Sequence, residues 1–316
     1  MKLSIVIPVL NEAESLQTLY SEIMENLPQT DYEIIFVDDG SSDESFSIMQ
    51  KLAVADSSVK VIRFRKNFGK AAGLQTGFEN CEGDIIITMD ADLQDDPREI
   101  PNFIAKIEAG YDLVTGWKQD RKDPLNKTLP SKFANSVMSK SFQLKLHDYN
   151  CGFKAFRREL IQEIDVYGEM HRYIPALAQA KGFRICEIPV HHRKRSYGKS
   201  KYGAERFFRS FLDLLSVKLV TAYTHSPLYL FGRIGFGFSL AGFIIGIYLT
   251  IMKYGYDQPL SNRPLLFLAI LLIMVGIQIF SIGLLAELIV NQTRYLNKKY
   301  TVSIREKLNL EKKRGK

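Results

Sequence analysis

Short apolar runs alternate with amphipathic stretches over the first 120 residues of the chain. The runs are rich in β-branched residues, as expected for strands buried on both faces of a parallel sheet. They are Leu3–Val9, Glu33–Val37, Val59–Phe64, Asp84–Met89 and Asp112–Gly116. The stretches between them have helical character and cover about Glu12–Asn26, Asp43–Ala55 and Lys70–Asn80, and a fourth helical stretch starts at Asp96. This order predicts an α/β fold with a doubly wound, mostly parallel sheet, which binds ligands beyond the carboxyl ends of its strands.

Two longer amphipathic stretches follow, at residues 127–146 and 202–223. Each has the apolar face of a helix that packs against a core. The second is also basic and adjoins a long apolar segment, which favours a helix lying in a membrane interface.

Two apolar segments, at about residues 228–252 and 264–290, are long enough to cross a bilayer as helices. The alternative is a pair of buried core helices. Small residues on the first segment, in Gly237-x-x-x-Ala241 and Gly242-x-x-x-Gly246, favour close helix contact. The segments are therefore expected to form a transmembrane hairpin.

The charge is distributed unevenly along the chain. The net charge of +7 is modest for 316 residues, but residues 294–316 alone contain nine Lys or Arg against two Glu. A second basic zone, residues 181–218, precedes the first apolar segment. Because basic residues mark the cytoplasmic side of a membrane protein, both termini are expected in the cytoplasm. The N-terminal apolar run is short and soon followed by Glu12, unlike a secretory signal peptide.

These patterns divide the chain into four parts. Residues 1–200 form a cytoplasmic α/β domain, 201–226 an amphipathic interface helix, 227–293 the two membrane helices and 294–316 a basic cytoplasmic tail. The predicted location is the cytoplasmic membrane, with the α/β domain on the cytoplasmic side.

Composition and missing motifs exclude several classes. The chain is 46% apolar and 24% charged, which is typical of a folded protein, and its three Cys are too few for a disulfide framework or a cysteine-based zinc site. It has neither G-x-G-x-x-G after the first strand nor G-x-x-x-x-G-K-[ST], which argues against nicotinamide dinucleotide and Walker-type phosphate sites. Nucleic acid is not an expected partner, because the basic zones flank the apolar segments without a pattern of stacking aromatics.

Acidic residues follow two of the predicted strands, as Asp38-Asp39 and as Asp90-Ala91-Asp92. In an extended segment alternate residues point the same way, so Asp90, Asp92 and Gln94 are expected to present oxygens on one side. Hard divalent cations such as Mg²⁺ or Mn²⁺ bind such oxygens, with water and substrate phosphate completing the shell. The pattern predicts a divalent cation site.

Several segments together resemble a known family. Those that resemble the family-2 glycosyltransferases of the GT-A fold are IPVLNE at Ile7–Glu12, VDDGSSD at Val37–Asp43, RKNFGK at Arg65–Lys70 and DADLQD at Asp90–Asp95. HDYNCGF at His147–Phe153 and RSYGKSK at Arg195–Lys201 resemble segments of dolichol-phosphate mannosyltransferases and bacterial polyprenyl-phosphate glycosyltransferases. The resemblance covers about residues 3–225, and the two apolar segments match the bacterial membrane members.

The resemblance implies a reaction. A hexose, with glucose favoured, is transferred from a nucleotide sugar, with UDP favoured over GDP, to a polyprenyl phosphate with inversion at the anomeric carbon. It implies a bacterial cytoplasmic membrane enzyme that depends on Mg²⁺ or Mn²⁺. The oligomeric state stays open, with a homo-oligomer among the alternatives.

The resemblance also implies roles for individual residues. Those expected to contact the nucleotide sugar are Pro8, Glu12, Asp39, Lys70 and Asp90, and those expected to hold the cation are Asp90, Asp92 and Gln94. Asp92 and Asp148 are the expected catalytic residues, with Asp148 either a base or an orienting group. The acceptor phosphate is assigned to Arg195, Ser200, Lys201, Lys118 and Lys132, although both Lys118 and Lys132 stand where relatives often have arginine.

Two other function classes stay open at this point. One is a glycosyltransferase that acts on a polysaccharide or protein. The absence of a Q-x-x-R-W block and the presence of only two spans argue against a polymer synthase. The other is a non-enzymatic membrane adaptor with a nucleotide-binding fold, although such an adaptor would not need Asp92 and Asp148.

Overall fold

A computed structural model describes residues 1–119, 139, 142, 144–164, 166, 170–193, 227–256, 259 and 264–297, with only the backbone described at 291 and 293–297. The chain divides into two compact units, residues 1–217 and 218–316. The predicted interface helix at 202–223, the tail beyond residue 297 and most of the predicted helix at 127–146 lie outside the described residues. Residues 144–146 of that predicted helix are not helical.

The first unit is built around a seven-stranded sheet. Its strands are β1 (Lys2–Val9), β2 (Asp31–Asp38), β3 (Val59–Arg63), β4 (Ile85–Thr88), β5 (Leu113–Lys118), β6 (Lys154–Arg157) and β7 (Ile185–Val190). Its helices are α1 (Ala13–Asn26), α2 (Ser45–Ala55), α3 (Lys70–Asn80), α4 (Ile100–Glu108), α5 (Arg158–Glu163) and α6 (Ile174–Ala180), with short 3-10 turns at Pro97–Glu99 and Met170–Arg172.

The strand order across the sheet is β3-β2-β1-β4-β6-β5-β7. The strands pair in parallel except for β6, which is antiparallel to both of its neighbours. The ends of the six parallel strands and the start of β6 therefore share one side of the sheet, here called the carboxyl edge. This arrangement confirms the predicted doubly wound, mostly parallel sheet.

Helices cover both faces of the sheet. Alternate residues of β1 lie in different cores: Ile5 and Ile7 pack with α1, α2 and α4, whereas Val6 packs with α3, α5 and α6. All three side chains are fully buried. Burial on both faces explains why the strand sequences are almost continuously apolar.

Helix α3 lies close against β1. A Cβ atom added to Gly77 would lie 2.2 Å from Cγ1 of Val6 and 3.3 Å from its Cβ and Cγ2. Gly77→Ala is therefore expected to destabilise the first unit by about 1–3 kcal/mol through overpacking. The melting temperature of the detergent-solubilised protein, followed by the emission of its single tryptophan, Trp117, measures this change. Glu79→Ala, at an exposed position of α3, is the control. Equal melting temperatures for the two variants would contradict the prediction.

The second unit contains two long helices, α7 (Pro227–Tyr256) and α8 (Pro264–Asn297). Both are long and apolar enough to cross a membrane, and only 17% and 11% of their most apolar windows are buried. This low burial is opposite to what two core helices would show. Helix α8 continues seven residues beyond the segment end predicted at residue 290.

The close contact between α7 and α8 uses different glycines from most of those predicted. Added Cβ atoms on Gly235 and Gly276 would each lie 2.6 Å from the carbonyl oxygen of the other residue, and one on Gly242 would lie 2.7 Å from the carbonyl oxygen of Ala269. Gly237 and Gly246 have no such neighbour within 4 Å among the residues that the structure describes. The contact positions on α7 are thus seven residues apart rather than four, a spacing that keeps one face of the helix toward its partner. The prediction that glycines four residues apart, such as Gly242 and Gly246, both form the close helix contact was therefore wrong.

Candidate active site

Polar side chains collect along the carboxyl edge, where the connections after the parallel strands and before β6 meet. Pro8, near the end of β1, pairs with Val37 of β2, and both Pro8 and Glu12 are half-buried. The Glu12 backbone N–H donates to Ser45 Oγ at 2.9 Å. Asn11, at φ +52°, accepts from the Ser42 N–H at 2.8 Å. These hydrogen bonds hold the connection after β1 against the connection after β2.

Asp39 anchors the connection between β3 and α3. It is 4% exposed, and its carboxylate accepts from the N–H groups of Phe68 at 2.6 Å and Gly69 at 3.0 Å. Burial raises the pKa of Asp39, and the two N–H donors only partly offset this effect. Gly40, at φ +75°, allows the two connections to touch, because a Cβ there would lie 2.6 Å from the Lys66 carbonyl carbon. The structure therefore brings Asp39 beside the loop that leads to Lys70.

The connection after β4 is a turn rather than an extended segment. Asp92 Oδ1 accepts from the Gln94 N–H at 3.2 Å, and Leu93 adopts the left-handed region at φ +61°. The Gln94 amide nitrogen faces His192 Nε2 at 3.3 Å. The premise that Asp90, Asp92 and Gln94 alternate along a strand was therefore wrong, because β4 ends at Thr88. The three residues instead belong to the turn and the segment that leads into it.

Asp90 is paired with Lys70 at the start of α3, with Lys70 Nζ in direct contact with Asp90 Oδ1. Burial would raise the pKa of Asp90, but Lys70 and Lys118 outweigh this effect and hold the pKa below its ordinary value. Gly152, on the connection before β6, leaves room for this carboxylate: an added Cβ would lie 2.7 Å from Asp90 Oδ2 and 2.8 Å from both Cγ and Oδ1. Asp90 is thus held ionised against the backbone of Gly152.

Asp95 is a site residue that the sequence analysis did not identify. It is 2% exposed, its Oδ2 accepts from the Asp90 N–H at 3.3 Å, and its Oδ1 lies 3.5 Å from Lys118 Nζ. Burial would lower the pKa of Lys118, but Asp95, with smaller contributions from Asp90 and Asp148, raises it. The position of Asp95 directly after D-A-D-L-Q is the sequence signal that could have identified it as a site residue. Lys118 is therefore part of this carboxylate cluster.

Asp148 lies on the connection that leads into β6. It is 3% exposed, and its Oδ1 accepts from the Asn150 N–H at 3.0 Å. The end of this connection is held to β4, because Thr88 Oγ1 donates to the Gly152 carbonyl at 2.8 Å. The connection places Asp148 close enough to Lys118 to help raise the pKa of that lysine.

Two further basic residues lie behind this connection and were also missed by the sequence analysis. Lys154 is 4% exposed and donates to the Cys151 carbonyl. Burial lowers the pKa of His171 to about 2, with Lys70 adding to the effect, so its imidazole is neutral at physiological pH. Lys154, His171 and Lys70 border a small cavity. No sequence pattern indicates these positions, because the fold alone brings them to Asp90.

The residues at the end of β4 fit a divalent cation. Asp90, Asp92 and Gln94 offer hard oxygen atoms, and Asp95 Oδ1 is buried and accepts no hydrogen bond from the described part of the chain. Among the described residues, no three His, Cys, Asp or Glu side chains are arranged to hold a metal ion. A cation at this position would thus need substrate phosphate and water as further ligands, as Mg²⁺ sites commonly do.

The structure brings together most of the predicted site residues for which it gives a position. Asp39, Lys70, Asp90, Asp92, Gln94, Lys118 and Asp148 lie on the carboxyl edge with Pro8 and Glu12 at its β1 end. Four predicted acceptor-phosphate residues, Lys132, Arg195, Ser200 and Lys201, lie outside the described residues.

The chain is similar to several known proteins. It is 36% identical over 297 residues to dodecaprenyl-phosphate galacturonate synthase of Rhizobium johnstonii, covering 92% of this chain and 88% of that protein. It is 38% identical over 291 residues to undecaprenyl-phosphate 4-deoxy-4-formamido-L-arabinose transferase of Shewanella sediminis, covering 90% and 86%.

Its fold is also found in solved structures. Glucosyl-3-phosphoglycerate synthase from Mycobacterium tuberculosis, in complex with Mn²⁺, UDP and phosphoglyceric acid, matches with a TM-score of 0.55 at 17% identity over 70% of this chain and 78% of that one. The first unit therefore has the GT-A fold. Residues 4–165 match the family described as Glycosyl transferase family 2. This match, together with the similarity over almost the whole chain, shows that the protein is a glycosyltransferase of family 2.

Proposed function

We propose that this protein transfers a hexose from a UDP-sugar to a polyprenyl phosphate at the cytoplasmic face of a bacterial membrane, with inversion at the anomeric carbon. The observation that carries the proposal is that one chain contains both a cluster of carboxylates and lysines at the carboxyl edge and two apolar helices that are long enough to cross a membrane. The relatives support the acceptor class, because both act on polyprenyl phosphates by name although they transfer different sugars.

The donor side of the proposal uses the β1–β4 part of the carboxyl edge. Pro8, Glu12 and Asp39 are assigned to the base and ribose, and Lys70, at the start of α3, is assigned to the diphosphate. Asp90, Asp92 and Gln94 would hold Mg²⁺ or Mn²⁺, and such a cation neutralises the charge that develops on a nucleoside diphosphate leaving group. The contact of Lys70 with Asp90 supports this assignment, because Lys70 is a protein cation beside one of the proposed cation ligands.

The acceptor side uses Lys118 and Asp148 with residues outside the described part of the chain. The acceptor nucleophile is a phosphate oxygen, and since the second pKa of a phosphate monoester is about 6, it is largely ionised at neutral pH. Asp148 therefore need not remove a proton, and we assign it the orientation of the reacting groups. Lys118, Lys132, Arg195, Ser200 and Lys201 are assigned to the acceptor phosphate, where cations offset its negative charge.

Removal of divalent cations is expected to abolish sugar transfer. The test is transfer of radiolabelled sugar from UDP- and GDP-linked donors, including UDP-glucose and UDP-galacturonate, to undecaprenyl phosphate in detergent. The expected result is lipid labelling from one UDP-hexose that EDTA stops and that Mg²⁺ or Mn²⁺ restores. Labelling that persists in EDTA would contradict the cation site.

The same assay separates the other function classes. Consumption of donor without lipid labelling would indicate a non-phosphorylated acceptor. Absence of consumption from every donor would support a non-enzymatic adaptor and contradict the proposal.

A further inference from the structure

Glu187, in the middle of β7, has contacts that neither the donor nor the acceptor assignments explain. Its side chain is only 10% exposed. Its Oε1 accepts from the backbone N–H of His147 at 3.0 Å and from that of Asp148 at 2.9 Å. Its Oε2 lies 3.0 Å from the same His147 nitrogen and 2.8 Å from His147 Nδ1. One carboxylate therefore binds two successive backbone N–H groups and the ring of the first residue.

The ring of His147 has a second support. It stacks on Trp117 of β5 with ring centroids 4.1 Å apart and an angle of 17° between the planes. We call Glu187, His147 and Trp117 the β7 brace. Because β5 and β7 are neighbours in the sheet, the brace attaches the segment before β6 to two strands at once.

The brace and the β4 contact hold opposite ends of the connection that contains Asp148. At its far end, Gly152 is fixed by the hydroxyl of Thr88. At its near end, Glu187 accepts hydrogen bonds from the backbone N–H groups of His147 and Asp148. Without the carboxylate these hydrogen bonds would be lost, and the backbone that carries Asp148 would be held less firmly in its position.

We propose that Glu187 is a positioning residue for Asp148 and acts through the backbone of residues 147 and 148. The inference rests on the proposed function, because it takes Asp148 as a residue of the transfer reaction. A displacement of about 1 Å at a reacting group costs about 100-fold in rate. Loss of the brace should therefore reduce turnover without removing any group that binds the donor.

The test compares Glu187→Ala with Glu187→Gln in the full-length protein in detergent. The alanine variant is expected to lower kcat by about 100-fold, with the KM for the UDP-sugar changed by less than about threefold. Glutamine retains an Oε1 acceptor for both N–H groups, so this variant should recover most of the turnover. Glu33→Ala is the matched control, since Glu33 is also a buried carboxylate that accepts a backbone N–H but lies at the opposite edge of the sheet. It should lower the melting temperature and leave kcat unchanged.

Trp117 provides a second readout that does not depend on activity. It is the only tryptophan in the chain, so emission of the folded protein, excited beyond the tyrosine absorption band, reports on the surroundings of Trp117. Glu187→Ala should shift this emission to longer wavelength as His147 leaves the indole ring, whereas Glu187→Gln and Glu33→Ala should not.

The outcomes separate this inference from the proposed function. An active wild-type protein with an equally active Glu187→Ala variant would overturn the positioning role alone. If Glu33→Ala lost as much turnover as Glu187→Ala for an equal drop in melting temperature, the loss would reflect stability alone, and the positioning role would also be overturned. A wild-type protein that is inactive with every donor would overturn the proposed function and the inference together.

Discussion

Asp92→Asn is expected to lower kcat for sugar transfer by about 100- to 1000-fold, the usual cost of removing one group that stabilises charge in the transition state. Asp92 is 9% exposed and lies in the turn after β4. Asparagine keeps an oxygen for the Gln94 N–H, so the turn should persist while the negative charge is lost. Steady-state kinetics with the labelled donor, at several Mn²⁺ concentrations, measure the effect.

Asp56→Asn is the control for this variant. Asp56 accepts the hydroxyl groups of Tyr20 at 2.9 Å and Tyr32 at 3.2 Å, and it lies before β3, at the opposite edge of the sheet. This substitution should lower the melting temperature and leave kcat near the wild-type value. An Asp92→Asn variant with wild-type kcat at every Mn²⁺ concentration would refute the role assigned to Asp92.

Gly152→Ala is expected to lower kcat by about 100-fold, as a displacement of about 1 Å would. The added methyl group would occupy the place of the Asp90 carboxylate, which lies within 2.8 Å of the new Cβ at all three of its carboxyl atoms. The carboxylate can rotate away, so the fold should survive, but the contact with Lys70 would be lost. Steady-state rates over a range of donor concentrations measure kcat, and the melting temperature shows whether the fold is retained.

Gly77→Ala is the matched control for Gly152→Ala, because it also adds one methyl group to a crowded glycine of the first unit. Its methyl group meets the side chain of Val6 rather than a carboxylate. Gly77→Ala should therefore lower the melting temperature and leave kcat unchanged. Gly152→Ala should lower kcat and leave the melting temperature nearly unchanged. A Gly152→Ala variant that turns over like the wild type would show that the Asp90 position is unimportant for transfer.

The sequence predicted the β1–β4 half of the fold well because its signals are local. Four buried strands and the helices between them follow from short apolar runs and helical periodicity, and α3 begins and ends at the predicted residues. The β6–β7 half was missed. Strand β6 has only four residues and begins with a lysine, Lys154, so it lacks the apolar run that marks the other buried strands. Lys154 is nevertheless buried in the folded protein.

The candidate site shows the same division. Acidic residues that directly follow a strand could be predicted, because the ends of parallel strands meet at one edge. The partners that hold them could not, since Glu187 binds the Asp148 backbone from 39 residues away and His192 meets Gln94 from 98 residues away. Such contacts depend on the complete sheet order, which no local pattern contains.

The sheet order also has a consequence for synthesis of the chain on the ribosome. Strands β1 to β4 can pair as they emerge, but β6 separates β4 from β5, so the described edge of β4 has no partner until residue 154 has been made. At about 5–20 residues per second, that edge is open for roughly 3–13 s. An open strand edge is prone to pair with another chain, so the nascent protein is most vulnerable to aggregation in this interval. The β1–β4 half is complete early, whereas the half that carries Asp148 and the β7 brace closes last, shortly before the apolar helices are synthesised.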